Sequence, residues 1–244
     1  MADVWTVIWK EWRELLRQRQ GMRGGVTQIL LIIGVFGVFL PLQMGRDWVE
    51  SPTQLMFWAW VPLFLVTAVV ADSFAGERER HTLETLLASR LSDRAILFGK
   101  ISAALGYGFG LAMIGIILGL VVVNLAHGKG ELLLYSPIIA VSIIGLMFLG
   151  ATLAASGGVL VSLRASSVRQ AQQTMSIAII LLLFVPIYGA QALPEEWKMA
   201  LAKLFMNADV TQLAFIAMAV LAVIDALLLL AAMARFKRAR LILD

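Results

Sequence analysis

Six long apolar stretches constrain this chain more than any other feature of its sequence. They run over 26–44, 54–75, 99–126, 136–163, 172–192 and 209–234. Each has roughly the 20 mainly apolar residues that a helix needs to cross a bilayer. The stretches are continuous rather than alternating, so they predict helices and not the strands of a barrel. We therefore expect an all-α integral membrane protein with six transmembrane helices.

The composition agrees with a membrane protein. Hydrophobic residues make up 60% of the 244 residues and charged residues only 15%, against about 45–50% and about 25% in soluble domains. The chain has no cysteine, which excludes disulfides and thiolate metal sites. We find no internal repeat and no soluble domain, so residues 1–244 are interpreted as a single transmembrane domain.

The basic residues predict how the helices are oriented. If the N-terminus lies in the cytoplasm, the inner segments hold 16 of the 20 Lys and Arg residues. Only Arg46, Lys129, Lys198 and Lys203 fall in the outer segments. Because the cytoplasmic loops of membrane proteins are enriched in Lys and Arg, we expect both termini, including the tail 235–244, in the cytoplasm.

Residues 1–24 are predicted to form an amphipathic helix on the inner membrane surface. Tryptophans and aliphatic residues share one stripe, and most charged residues lie on the other side, as in helices of the membrane interface. The stripe comprises Val4, Trp5, Ile8, Trp9, Trp12, Leu15 and Leu16. We interpret this helix either as a plain anchor or as a lever that passes force to the first span.

The segment 76–98 separates the second and third spans and is predicted to be cytoplasmic. Its leucines recur at helical spacing, which indicates a helix rather than a flexible linker. They are Leu83, Leu86, Leu87 and Leu91. Thr82 and Ser92 are predicted N-caps. We therefore expect two short helical pieces with a hinge near 89–92.

The charged tetrad at the start of this segment, Glu77-Arg78-Glu79-Arg80, has two possible roles. It is either a solvated polar run or a set of partners for Arg13 or Arg17 of the N-terminal helix. A leucine-bearing helix beside it has to bury its stripe, either on the protein's own spans or against a cytoplasmic partner.

Two acidic residues lie within predicted spans. Asp225 is near the middle of span six, where a charged side chain costs about 2.5–3.5 kcal/mol. It is either a substrate, ion or proton contact or a neutral packing residue, since no Lys or Arg lies mid-span to pair with it. Asp72, at the inner end of span two, is predicted to cap or to pair with basic residues at the cytoplasmic border, such as Lys100 or Arg164.

The stretch GERERHTLETLLASRLSDRAILFGK, residues 76–100, resembles the signature of bacterial ABC transporter permeases of the type-2 exporter family. The matching residues are Glu77, Glu79, Thr82, Leu83, Glu84, Leu86, Leu87, Gly99 and Lys100. The N-terminal amphipathic helix, the six spans and the short outer segment 189–208, either re-entrant or a surface connector, also agree. The resemblance implies a permease subunit of an ATP-driven exporter in the bacterial cell membrane.

The resemblance also implies partners and residue roles. Segment 76–98 would hold a coupling helix that docks on a separate ATP-binding subunit. The docking residues would be Glu77, Glu79, Thr82, Leu83, Glu84, Leu86 and Leu87. That subunit would bind ATP and Mg, since this chain has no phosphate-loop motif and is expected to need no cofactor or metal of its own. A second, identical or related, six-span subunit would complete the transport path.

The residues alone leave other functions to weigh. A stand-alone secondary transporter would use Asp225 as an ion or proton site, and an inverted repeat would favour it; we find none. An enzyme acting on membrane lipids would need a polar constellation near one interface, and the spans hold too few polar residues for that. Nucleic-acid binding is not indicated, because the basic residues are spread along the inner membrane border.

Overall fold

The structure, a computed structural model, describes residues 2–21, 23–52, 54–207 and 209–236, and every regular element in that part of the chain is helical. The helices are α1 (Ala2–Gly21), α2 (Arg23–Gly34), α3 (Leu40–Met44), α4 (Asp47–Glu50), α5 (Gln54–Glu79), α6 (Leu83–Leu87), α7 (Asp93–His127), α8 (Pro137–Ser162), α9 (Val168–Gln191), α10 (Glu195–Asn207) and α11 (Val210–Arg235). A π-helical turn, Val35–Phe39, joins α2 to α3. The predicted all-α fold is confirmed.

Within the described residues, five helices are long and apolar enough to cross a membrane. They are α5, α7, α8, α9 and α11, which correspond to predicted spans two to six. The first predicted span corresponds to a shorter apolar stretch, Ile29–Met44, which includes the π-helical turn. The protein is therefore a multi-pass, all-helical membrane protein.

The helices flanking α6 are longer than predicted. Helix α5 continues to Glu79 and α7 already begins at Asp93, so only a short loop separates them. The Ser92 hydroxyl accepts a hydrogen bond from the Ala95 amide at 3.2 Å, which confirms the predicted cap. Thr82 occupies the N-cap position of α6, but its hydroxyl donates to the Glu77 carbonyl instead of accepting from the helix.

Glycines allow the central helices to approach closely. Helix α5 packs along both α7 and α8, and a Cβ added at Gly108 of α7 would lie 2.3 Å from a methyl carbon of Val66. A Cβ at Gly150 of α8 would lie 2.7 Å from the backbone oxygen of Ala59. Small residues at such crossings let the backbones of membrane helices come into van der Waals contact.

Gly150→Ala is expected to destabilise the protein by about 1–3 kcal/mol, the usual cost of overpacking. The added methyl group meets backbone rather than a movable side chain, so α5 and α8 have to separate. The measurement is thermal unfolding of the purified protein in detergent. Gly110→Ala is the matched control, because a Cβ there has no neighbour within 4 Å. Equal melting temperatures for the two variants would contradict the close α5–α8 crossing.

Helix α1 lies with its charged side against the bundle. Val7, on that side, is only 2% exposed, whereas Trp5 and Trp9 are 67% and 57% exposed. The predicted amphipathic helix is thus present, and Trp5 and Trp9 of its stripe face away from the protein, where a membrane interface accommodates them. The charged side contacts the other helices, and Leu15 at the edge of the stripe also packs on them.

Candidate functional site around helix α6

Lys100, near the start of α7, lies at the centre of a buried ion cluster, which we define as Lys10, Glu11, Glu77 and Lys100. Its side chain is 1% exposed. The ammonium group donates to Glu11 Oε1 at 2.8 Å and to the Ser73 carbonyl at 2.7 Å, and lies 3.1 Å from Glu77 Oε1. Three acceptors match the three donors of an ammonium group, so its burial is compensated.

The ion cluster joins three helices. Glu77 of α5, 4% exposed, also accepts from Lys10 of α1 at 2.9 Å, so that its Oε1 atom is shared by two lysines. Burial alone would lower the pKa of Lys10, but the hydrogen bond and charge of Glu77 outweigh it and raise that pKa. The cluster therefore ties α1 to the end of α5 and to the start of α7.

Gly99, the residue before Lys100 in the sequence signature, is where α1 packs most closely on α7. A Cβ at Gly99 would lie 2.5 Å from the Cβ of Val7, so the absent side chain lets α1 lie directly on α7. The indole N–H of Trp12 donates to the Ala103 carbonyl at 3.2 Å along the same contact. Gly99 and Lys100 thus act together: one brings α1 close and the other binds its charged side.

The rest of the charged tetrad also bonds within the protein. The guanidinium of Arg78 donates to the carbonyl of Ala165 and, at 2.9 Å, to that of Leu163, both in the turn between α8 and α9. Glu79 accepts from the Val168 amide at 3.1 Å, at the first residue of α9. These bonds attach the end of α5 to the α8–α9 turn.

Arg80, the last residue of the tetrad, follows the end of α5 and contacts a residue of that helix. Its guanidinium donates to Asp72 at 3.1 Å, so Asp72 pairs with a basic residue near the end of α5, which is Arg80 and not Lys100 or Arg164. Gly76 lies between them along α5, and a Cβ there would come within 2.0 Å of the Asp72 carboxylate. The glycine that opens the signature therefore leaves room for this ion pair.

The N-terminal helix pairs with the tetrad through a different residue than predicted. Lys10 contacts Glu77, whereas Arg13 is exposed and the side chain of Arg17 lies outside the described residues. Two roles were proposed for the tetrad, and the contacts of Glu77 fit the one in which it pairs with the N-terminal helix. Lys100 was missed as a partner of Glu77, and Glu11 as a partner of Lys100, although a lysine next to the apolar run ISAAL signals a need for buried acceptors.

Helix α6 emerges directly from this anchored segment. Leu83 is buried against the bundle at 7% exposure and Leu86 is half-buried, so the leucine stripe packs on the protein itself. Thr82 and Glu84 are exposed, and the side chain of Leu87 lies outside the described part. The predicted docking residues therefore divide into inward anchors and an outward face that includes Glu84.

Asp225 is distant from this region in sequence and lies within α11. It is 4% exposed, and neither carboxyl oxygen has a hydrogen-bond partner among the described residues. A Cβ at Gly145 of α8 would lie 2.4 Å from the sulfur of Met218, which shows that this side of α11 packs tightly on α8. No contact assigns Asp225 to the site around α6.

The arrangement around α6 consists of contacts between helices. Among the described residues there is no group of three or more His, Cys, Asp or Glu side chains that could hold a metal ion. Helix α6 follows directly on the end of α5, and that end is fixed to α1, to α7 and to the α8–α9 turn.

Comparisons with known proteins concern most of the chain. The sequence profile of the family described as "ABC-2 type transporter" matches residues 2–208. The chain is similar to the ABC transporter permease protein NatB of Bacillus subtilis (strain 168), with 26% identity over 172 residues, 65% of this chain and 44% of that protein. It therefore spans less than half the length of that relative. No solved structure matches it.

Proposed function

Because the chain belongs to the ABC-2 type transporter family, we propose that it is the permease subunit of an ATP-driven exporter and that α6 is its coupling helix. The observation that carries the proposal is the anchored position of α6: an exposed face of five residues' length, held by the charged tetrad and the ion cluster. A docking element of this kind needs a free surface and a stiff connection to the spans.

A separate subunit supplies the energy in this proposal. It binds ATP and Mg, and its nucleotide-driven motion pushes α6 and, through Glu77 and Arg78, moves α1, α7 and the α8–α9 turn. The face with Glu84 meets that subunit, while Leu83 stays inside. A second permease subunit, identical or related, completes the path.

The proposed orientation places α6 and both termini in the cytoplasm of a bacterial cell. The positive-inside distribution supports it, and so does the position of α1, whose exposed tryptophans lie at the same end as the basic loops. We call this end of the bundle, with α1, α6 and the α8–α9 turn, the basic end.

Glu84→Arg is expected to weaken binding of the cognate ATP-binding subunit at least about tenfold, since a reversed charge disrupts an interface that a neutral change would only weaken. Glu84 is exposed and its loss removes no contact within the chain that the structure shows. The measurement is co-purification of the two subunits from membranes, together with ATP-dependent efflux.

Glu196→Arg is the matched control, because Glu196 is exposed on α10 at the opposite end. It should leave binding and efflux unchanged. Full binding and full ATP-driven efflux in Glu84→Arg would contradict the role of α6. Efflux driven by an ion gradient without any ATPase would instead support the secondary transporter, in which the buried Asp225 carries the ion or proton.

A further inference from the structure

A groove runs along the bundle between α9 and α11, with α8 and α5 as its floor. Its middle part, about 290 Å³, shares Leu63, Leu153 and Leu182 with a part of about 540 Å³ towards the far end. It shares Val161 with a cleft of about 390 Å³ at the basic end. The three parts thus adjoin one another along the bundle.

The chemistry of the groove changes along its length. The far part is lined by apolar side chains, and Thr67 is the one polar residue among those lining the middle part. The cleft at the basic end is different, because Arg164 and Arg235 line it together with Gln170 and Thr174. An apolar groove with two arginines at one end fits a molecule with an anionic head and an apolar tail.

The two arginines are available for such a head group. Neither guanidinium has a hydrogen bond or ion pair to the part of the chain that the structure describes, whereas Arg78 and Arg80 at the same end are both bonded. Basic pockets between membrane helices on the cytoplasmic side are typical head-group sites of anionic lipids. A guanidinium also suits phosphate, which it can bind with two parallel hydrogen bonds.

The dimensions agree with a membrane lipid. Helix α11 rises about 21 Å from Arg235 to Leu221, at about 1.5 Å per residue. Half of a bilayer's hydrocarbon core measures about 15 Å, taking about 30 Å for the whole. An acyl chain of about 15 Å that starts at the arginines therefore passes Leu228, about 10.5 Å along α11, and ends within the groove before the level of Leu221.

We propose that this groove binds an anionic phospholipid, with its phosphate at Arg164 and Arg235 and an acyl chain along the groove between α9 and α11. Small residues on the floor, Ala154, Gly157 and Gly158, provide the depth for the chain. The site does not involve α6 or the ion cluster, but it shares the α8–α9 turn with the proposed coupling, because Arg164 belongs to that turn.

The head-group arm of the test compares two lipids with identical acyl chains, phosphatidylglycerol and phosphatidylcholine, on the purified chain in detergent by native mass spectrometry. We expect the wild type to prefer phosphatidylglycerol. Each neutralised arginine should weaken that binding about fivefold, and Arg164→Gln with Arg235→Gln about 25-fold. Arg90→Gln with Arg94→Gln is the matched control, because both residues are exposed at the same end and line no part of the groove.

The acyl-chain arm of the test uses a substitution on α9 that fills the groove. Ala178→Trp, which adds an indole to the middle part, should reduce binding of both lipids, while Ala226→Trp on an exposed face of α11 should not. Glycerol 3-phosphate, a head group without chains, should fail to displace the bound lipid. Melting temperatures of all variants exclude loss of folding as the cause.

Three results would overturn the proposal. One is equal binding of the two lipids. Another is displacement of the lipid by glycerol 3-phosphate, which would make the site one for a soluble anion. The third is conversion of a dimer to a monomer by Ala178→Trp without loss of lipid preference, which would mean that a second copy of the chain covers the groove.

Discussion

Lys100→Met is expected to destabilise the protein by about 3–5 kcal/mol, the cost of leaving a buried charge without its partner. Methionine keeps most of the volume and removes the charge, so Glu77, 4% exposed, and Glu11, 14% exposed, face each other with less compensation. Thermal unfolding in detergent and the yield of folded protein from membranes measure the effect. We also expect α1 to separate from α7, since the cluster joins them.

Two further variants test whether the destabilisation comes from the unpaired buried charge or only from the loss of a side chain. Lys10→Met should cost less than about 1 kcal/mol, because its side chain is 41% exposed and such pairs contribute little. Adding Glu77→Met to Lys100→Met should restore much of the stability, since an apolar pair of similar volume often replaces a buried ion pair without loss. Wild-type stability of Lys100→Met would show that the cluster does not hold the three helices.

Arg78→Met is expected to destabilise the protein by about 2–4 kcal/mol, because it leaves the carbonyls of Leu163 and Ala165 without their donor. Both residues are buried, so water does not readily replace the guanidinium. If α6 transmits motion as proposed, efflux should fall at least about tenfold while the ATP-binding subunit still binds, because the α8–α9 turn no longer follows α5. Unfolding and subunit co-purification are measured on the same preparation.

Arg80→Met is the comparison for Arg78→Met. It removes the same group two residues further on, but the pair with Asp72 is partly exposed and joins residues only eight positions apart, so a loss below about 1 kcal/mol is expected. Arg78→Lys should be intermediate in stability, since one ammonium group reaches at most one of the two carbonyls well. Normal efflux in a folded Arg78→Met protein would contradict transmission through this contact.

The helices and caps of the site could be predicted from the sequence, whereas the contacts between them could not. The cap at Ser92, the short helix that carries Leu83, and the non-helical residues before Asp93 follow from local rules of capping and periodicity, and they are confirmed. The tetrad was recognised as a unit with two roles. Which charge meets which was not predictable, because Lys10, Arg13 and Arg17 are equivalent in pattern and differ only in where α1 lies against α7.

Glu11 and Lys100 show why the ion-pair partners could not be predicted from the sequence. They are 89 positions apart, and no local pattern links them. Amphipathic patterning assigns charged faces to water, whereas here the charged face of α1 turns inward, and Trp5 and Trp9 turn outward as they do on helices of a membrane interface.

The sequence by itself determined the membrane class, the apolar spans, the amphipathic first helix and the family signature, because chain-local hydrophobicity and capping dictate them. Only the tertiary structure decided that Gly76 makes room for Arg80 and Asp72, and Gly99 for α1. It alone decided that Lys100 binds Glu11 and Glu77, and that Arg164 and Arg235 open onto one apolar groove. These relations depend on distances between helices that are far apart in the chain, which no local pattern encodes.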